Sequence, residues 1–183
     1  MSIRSILRYL FSGTVIVMSA CLLYSEDVHA AEYDTLATFT TAFDPSEARA
    51  INVNVASERI NGVIVAPGET FSFNKTILPR TVENGYVYGP SFLGGQIVNS
   101  MGGGICQVSS TLYVSLLYSG MKITERHPHS QPVTYVPVGY DATISGNQLD
   151  LRFLNTYNKP VMIASTVDNS TGQVTVTLLK ERD

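Results

Sequence analysis

Cysteine is scarce in this sequence: of 183 residues only Cys21 and Cys106 are of that type. Cys21 falls in an N-terminal stretch with the marks of a targeting segment. Arg4 and Arg8 give it a positive start, residues 10–23 are mostly apolar, and Val28 and Ala30 occupy the two positions that signal peptidase reads. Cleavage after Ala30 leaves Cys106 alone. That excludes an intrachain disulfide and any multi-cysteine zinc or iron–sulfur site. Charge is sparse as well, at 15% of residues with a net charge of −3, so the basic footprint of a nucleic-acid-binding protein is missing. Repeats, low-complexity tracts and blocks of like charge are absent too. The 44% of hydrophobic residues fits a single globular domain with a true core.

Two other readings of the N-terminus remain open. Residues 6–24 are nearly long enough to stay in a bilayer as an uncleaved anchor. Ser19-Ala20-Cys21 resembles a lipoprotein cleavage site, although the apolar Leu22-Leu23 beyond it weakens that reading. All three place the domain outside the cytoplasm, where a single unpaired cysteine marks a reactive thiol. The expected division is a signal peptide or anchor over 1–30, a polar lead-in over 31–47 and a catalytic domain over 48–183.

The chemistry is expected between residues 102 and 113. Gly102-Gly103-Gly104 permits tight backbone curvature and close approach of another group. Cys106 follows, and then Val108, Leu112 and Leu116 recur at helical spacing up to the stop signal Gly120. A cysteine at the tip of a helix meets free N–H groups and the positive end of the dipole, and both favour thiolate. The same N–H groups suit an oxyanion, with Gly104, Gln107 and Ser109 as the expected positioning residues.

A cysteine nucleophile needs a base. Once His29 is removed, the candidates are His127 and His129, two residues apart around Pro128. His129 is the preferred partner. Asp141 is the first choice to orient it, with Glu125 second. Arg80 and Arg126 suit a substrate carboxylate, and Tyr86, Tyr88 and Phe92 suit either a pocket floor or a lid over the core. A zinc site from His127, His129 and Asp141 ranks third, because the spacing is irregular. No cofactor is expected.

The remaining pattern predicts an α+β fold, with two helices packed on a mainly antiparallel sheet. Asp44-Pro45-Ser46-Glu47 predicts a helix start, with Ala48, Ile51, Val55 and Ile60 as its buried stripe. Strands are expected over 62–65 and 69–73 around Pro67-Gly68, and over 132–137, 142–144, 149–154, 161–167 and 173–179. Residues 75–100 read as loosely patterned.

Taken together, the motifs resemble the VanW family of exported bacterial cell-envelope proteins. The resemblance runs from about residue 48 to 167. It rests on Ile60-Asn61-Gly62, Pro67-Gly68-Glu69, Pro79-Arg80-Thr81 and the glycine–cysteine–glutamine run. Glu125-Arg126, His129-Ser130, Tyr135-Val136-Pro137 and Gly139 with Asp141-Ala142-Thr143 complete it. The family takes its name from vancomycin-resistance gene clusters, and some of its members are regarded as L,D-transpeptidases. The resemblance implies that Cys106 and His129 are its fixed pair and that peptidoglycan stem peptides are the partners. The alternatives it leaves are a non-catalytic wall- or glycopeptide-binding accessory protein and a cysteine peptidase or amidase on peptidoglycan.

Overall fold

The computed structural model describes residues 32–93, 95–146 and 148–182, leaving aside the side chains of Phe92 and Leu93. The targeting segment, its Cys21 and the proposed cleavage site lie outside the described residues.

Alternating Val, Ile and Thr near the C-terminus build the central layer. Strands β8 (Val161–Asp168) and β9 (Gln173–Glu181) pair antiparallel across a turn in which the Asp168 carboxylate accepts from the Ser170 and Thr171 N–H groups. Their inward residues Val161, Ile163, Val174, Val176 and Leu178 are fully buried, the outcome that period-two alternation dictates. β1 (Tyr33–Ala42) pairs along β9, and β2 (Val63–Val65) along β8, giving the order β1-β9-β8-β2. The expected lead-in is thus an edge strand of the main sheet. A second sheet orders β3 (Thr70–Ser72), β7 (Arg152–Leu154) and β6 (Lys122–Glu125), and β4 (Tyr88–Leu93) with β5 (Gln96–Met101) forms a separate hairpin. Every strand pairing is antiparallel, and the fold is α+β as expected.

Helix α1 (Arg49–Ile60) lies against β8, where Ser57 and Ser165 hydroxyls meet at 2.6 Å. Helix α3 (Cys106–Ser119) packs on β1 and β9. A five-residue helix, α2 (Phe73–Ile77), was not expected; Ser72 caps it by accepting from the Lys75 N–H. Two further expectations change. Asp44 caps a turn through the Ser46 N–H instead of starting α1, which moves the buried stripe to Ala50, Asn52, Val53, Ala56, Ser57 and Ile60 and leaves Ile51 49% exposed. Residues 132–137 form no strand, since Pro132 and Pro137 lack the N–H a ladder needs.

Candidate active site

The glycine run delivers Cys106 to the first turn of α3. Gly103 passes so close to Gly89 of β4 that a Cβ there would run into the Gly89 carbonyl. Gly104 holds φ at +101°, a value open to glycine and rare for other residues. Asn52 of α1 locks this crossing. Its amide donates to the Gly103 carbonyl (2.8 Å) and the Val87 carbonyl (3.0 Å), and its oxygen accepts from the Val87 N–H (2.8 Å). The Cys106 N–H is then left without an acceptor among the described residues, as the first donors of a helix are.

Two serines on α3 stitch the next segment to the cysteine. Ser110 Oγ donates to the Cys106 carbonyl (2.7 Å) and accepts from the Ala142 N–H (2.9 Å); Ser109 Oγ donates to the Ala142 carbonyl (2.6 Å). Ala142 lies between Asp141 and Thr143, so this clamp sets both. The Thr143 N–H donates to the His127 carbonyl (2.8 Å), drawing residues 127–129 alongside. Asp141 then accepts through Oδ2 from the His129 N–H (2.6 Å) and meets its Nδ1 at 2.7 Å. With Nδ1 on Asp141, Nε2 is the ring nitrogen left for the Cys106 sulfur; the two side chains line one cavity and act on each other's ionisation. Thr143 Oγ1 and the Ile144 carbonyl lie 3.7 and 3.6 Å from the same sulfur.

Electrostatics follow from that line. Burial pushes the Cys106 thiol up, but the hydrogen bond and charge of His129 outweigh it and hold the group below an ordinary thiol. Burial pulls His129 down, yet the cysteine sulfur and the Asp141 carboxylate together raise it above an ordinary imidazole. Burial would raise Asp141, but the His129 N–H and ring keep it low. The arrangement favours a thiolate–imidazolium pair backed by a carboxylate.

A cavity of about 440 Å³ opens over the sulfur. Cys106, His129, Gly104 and Arg80 line it, with Arg49, Tyr135 and Thr143, which sequence reasoning had given no role. Burial and the nearby sulfur raise the Tyr135 phenol well above its usual value, so it faces the cavity as a hydroxyl. Among the described residues no group of three or more His, Cys, Asp or Glu is placed to hold a metal ion.

Other candidates are placed elsewhere. The Gln107 N–H donates to the Gly104 carbonyl (3.0 Å), and its side chain turns to β1, donating to Thr41 Oγ1 and the Ala42 carbonyl. Ser109 is committed to Ala142. Neither is free for an oxyanion. His127 pairs with Glu125 at 3.0 Å, which takes both away from the sulfur. Arg126 reaches not the cavity over the sulfur but Asp141, donating from Nη2 to Oδ1 (2.9 Å) and from Nε to the Asp141 carbonyl (2.7 Å). Tyr86 is fully buried with its hydroxyl on the Ile77 carbonyl, a core residue, while Tyr88 is 60% exposed; the Phe92 side chain lies outside the description.

Comparisons with known proteins agree on one relationship. The family model described as VanW like protein matches residues 48–179. The chain is 41% identical over 129 residues to the uncharacterized protein YoaR of Bacillus subtilis, covering 70% of this chain and 43% of that protein. It is 31% identical over 136 residues to the vancomycin B-type resistance protein VanW of Enterococcus faecalis, covering 70% of this chain and 50% of that one. The chain therefore spans about half the length of the curated relatives it matches. No solved structure matches it. With its glycine loop, cysteine-tipped helix and downstream histidine all inside the matched span, the chain belongs to the VanW-like family.

Proposed function

We propose that this chain is an exported, cysteine-dependent acyl transferase acting on peptidoglycan stem peptides, in the manner of an L,D-transpeptidase. The observation that carries the reading is that Cys106 and His129 line one open cavity while Asp141 holds the His129 ring from behind through Nδ1. The family, and a relative whose name refers to vancomycin resistance, support a cell-wall setting.

The Cys106 thiolate attacks the carbonyl of the third residue of a stem tetrapeptide, forming a C–S bond. The Cys106 N–H is the donor available to the developing oxyanion. The C–N bond breaks as the His129 imidazolium gives its proton to the departing amine of the terminal D-alanine. An acceptor amine from another stem then attacks the thioester and passes a proton to His129; the C–S bond breaks and the thiolate returns. Water in place of the amine gives a carboxypeptidase. Asp141 fixes the tautomer of His129, and Arg126 fixes Asp141.

Purified protein incubated with tetrapeptide muropeptides is expected to yield cross-linked or trimmed products by mass spectrometry, through an acyl adduct on Cys106. Product formation undiminished in Cys106→Ala would refute the mechanism.

A further inference from the structure

Charge around the cavity is one-sided. Apart from the Cys106–His129 pair, its charged lining residues among those described are Arg49 and Arg80, with no carboxylate. Arg49 has a counter-ion, Glu47 Oε2 at 2.6 Å. Arg80 has none among the described residues: Nη2 donates to the neutral Asn74 Oδ1 (2.9 Å), and Nε is buried without an acceptor. Asp150 is the carboxylate whose charge acts on Arg80, but its oxygens are already taken. Oδ1 accepts from the Asn74 and Leu151 N–H groups (both 2.8 Å), and Oδ2 from the Ser72 hydroxyl (2.5 Å). A buried guanidinium N–H left unpaired is an unfavourable arrangement that a ligand can relieve.

The guanidinium is also held in advance. Asn74 is pinned by its own bonds to Asp150 and the Leu149 carbonyl, so its oxygen is fixed toward Arg80. The Arg80 stem lies along Gly102, where an added Cβ would come within 3.1 Å of Cδ. The cation thus stands beside the loop that carries Cys106.

Resting on the acyl-transfer reading, we infer that Arg80 binds the free C-terminal carboxylate of the residue that leaves, making the site specific for peptides that end one residue past the attacked carbonyl. A planar guanidinium with open donors matches a carboxylate in bidentate fashion. The attacked carbonyl and the terminal carboxylate belong to adjacent residues, about 3.8 Å apart between Cα atoms, and Arg80 and Cys106 line the one cavity that would hold both. A chain continuing past that point would place a neutral amide against the Arg80 donors. The cavity would then select ends over chain interiors, and an endopeptidase would gain nothing from Arg80.

The test is binding, which is independent of turnover. Cys106→Ala protein is titrated calorimetrically with a stem tetrapeptide ending in D-alanine and with the same peptide as its C-terminal carboxamide. The free acid is expected to bind about tenfold tighter or more. In Cys106→Ala/Arg80→Gln the acid should weaken by a similar factor and the gap should close, while Arg80→Lys should keep part of it. Thermal melts check that the variants fold, and the acid–amide comparison needs no Arg80 variant. Equal affinity for acid and amide overturns the inference. So does a gap that survives in Arg80→Gln, an equal loss for both peptides in that variant, or no binding of either at millimolar concentration. Failure of the acyl-transfer reading appears separately, as no acyl adduct on Cys106 of the native protein.

Discussion

Cys106 sits half-buried at a helix tip, and His129, itself held by Asp141, lowers its thiol pKa against the effect of burial. The sign of that control can be checked. Thiolate appears as pH rises through the cysteine pKa, which His129 holds below the ordinary thiol value. Alkylation of Cys106 by iodoacetamide, followed on its peptide by mass spectrometry, is therefore expected to have a midpoint below that of a free thiol. Asp141→Asn removes the charge that raises His129. The imidazolium becomes less populated, the thiolate loses its counter-charge, and the midpoint should move up. Turnover should fall by roughly 10²–10⁴-fold, the range for losing an orienting acid. A midpoint that stays put or drops would show that Asp141 does not act through His129. Cys106, His129 and Asp141 were legible as candidates because each is rare or sits in a distinctive run. The arginines were not separable by sequence: Arg126 is drawn to Asp141 only because residues 139–141 fold over it, and Arg80 faces the cavity only because Asn74 holds it. Gln107 misled for a geometric reason, since one step along a helix turns a side chain by about 100°. That step takes it from the cavity to Thr41.

The elements matter through how they fix the glycine loop. α3 was legible from its spacing, and Val108, Leu112 and Leu116 are fully buried, but Leu117 is 39% exposed. The β4–β5 hairpin was not legible, because Pro90, Gln96, Asn99 and Ser100 dilute its alternation and its two strands pair only with each other. Yet this hairpin supplies the Gly89 backbone on which Gly103 rests. Asn52 holds hairpin and loop together with three bonds, from a side chain that is fully buried. Asn52→Ala leaves the Val87 and Gly103 groups unpaired in the interior, at a cost of about 1–3 kcal/mol. Calorimetry should register a fall of roughly 2–4 °C in Tm per kcal/mol. Because the loop positions Cys106, kcat should fall as well, even at temperatures where the variant is fully folded. Ile51→Ala, one residue away on the exposed side of α1, is expected to stay within about 0.5 kcal/mol of the parent. Equal losses at both positions would contradict the observed stripe.

At the scale of the molecule, the family match starts at residue 48, but the folded unit includes residues 32–47. Residues 31–43, with threonine at 35, 38, 40 and 41, read as an extended lead-in strand or tail, and β1 is that strand. Thr38 and Thr40 face their β9 counterparts Thr177 and Thr175 hydroxyl to hydroxyl, and threonines on that face leave the partner strand unmarked in the sequence. Its inner side is what α3 requires. Thr41 Oγ1 meets Thr111 Oγ1 at 2.8 Å, and Thr41 and the Ala42 carbonyl together accept both hydrogens of the Gln107 amide. Phe43, 7% exposed, joins the core and donates its N–H to the Gly172 carbonyl at the β8–β9 turn. A chain cut to begin at residue 48 would expose the length of β9 as a bare edge, uncover one side of α3, and strand the Gln107 amide one position from the nucleophile. Such a fragment is expected to aggregate or to lack a cooperative thermal transition, whereas residues 32–183 should melt in a single step. Supplying residues 32–47 as a separate peptide should restore part of the structure by re-forming the β1–β9 ladder, visible as recovered amide protection along β9. If the shorter chain melts cooperatively at the same temperature and keeps the reactivity of Cys106, then β1 is an accessory strand and α3 carries its own support.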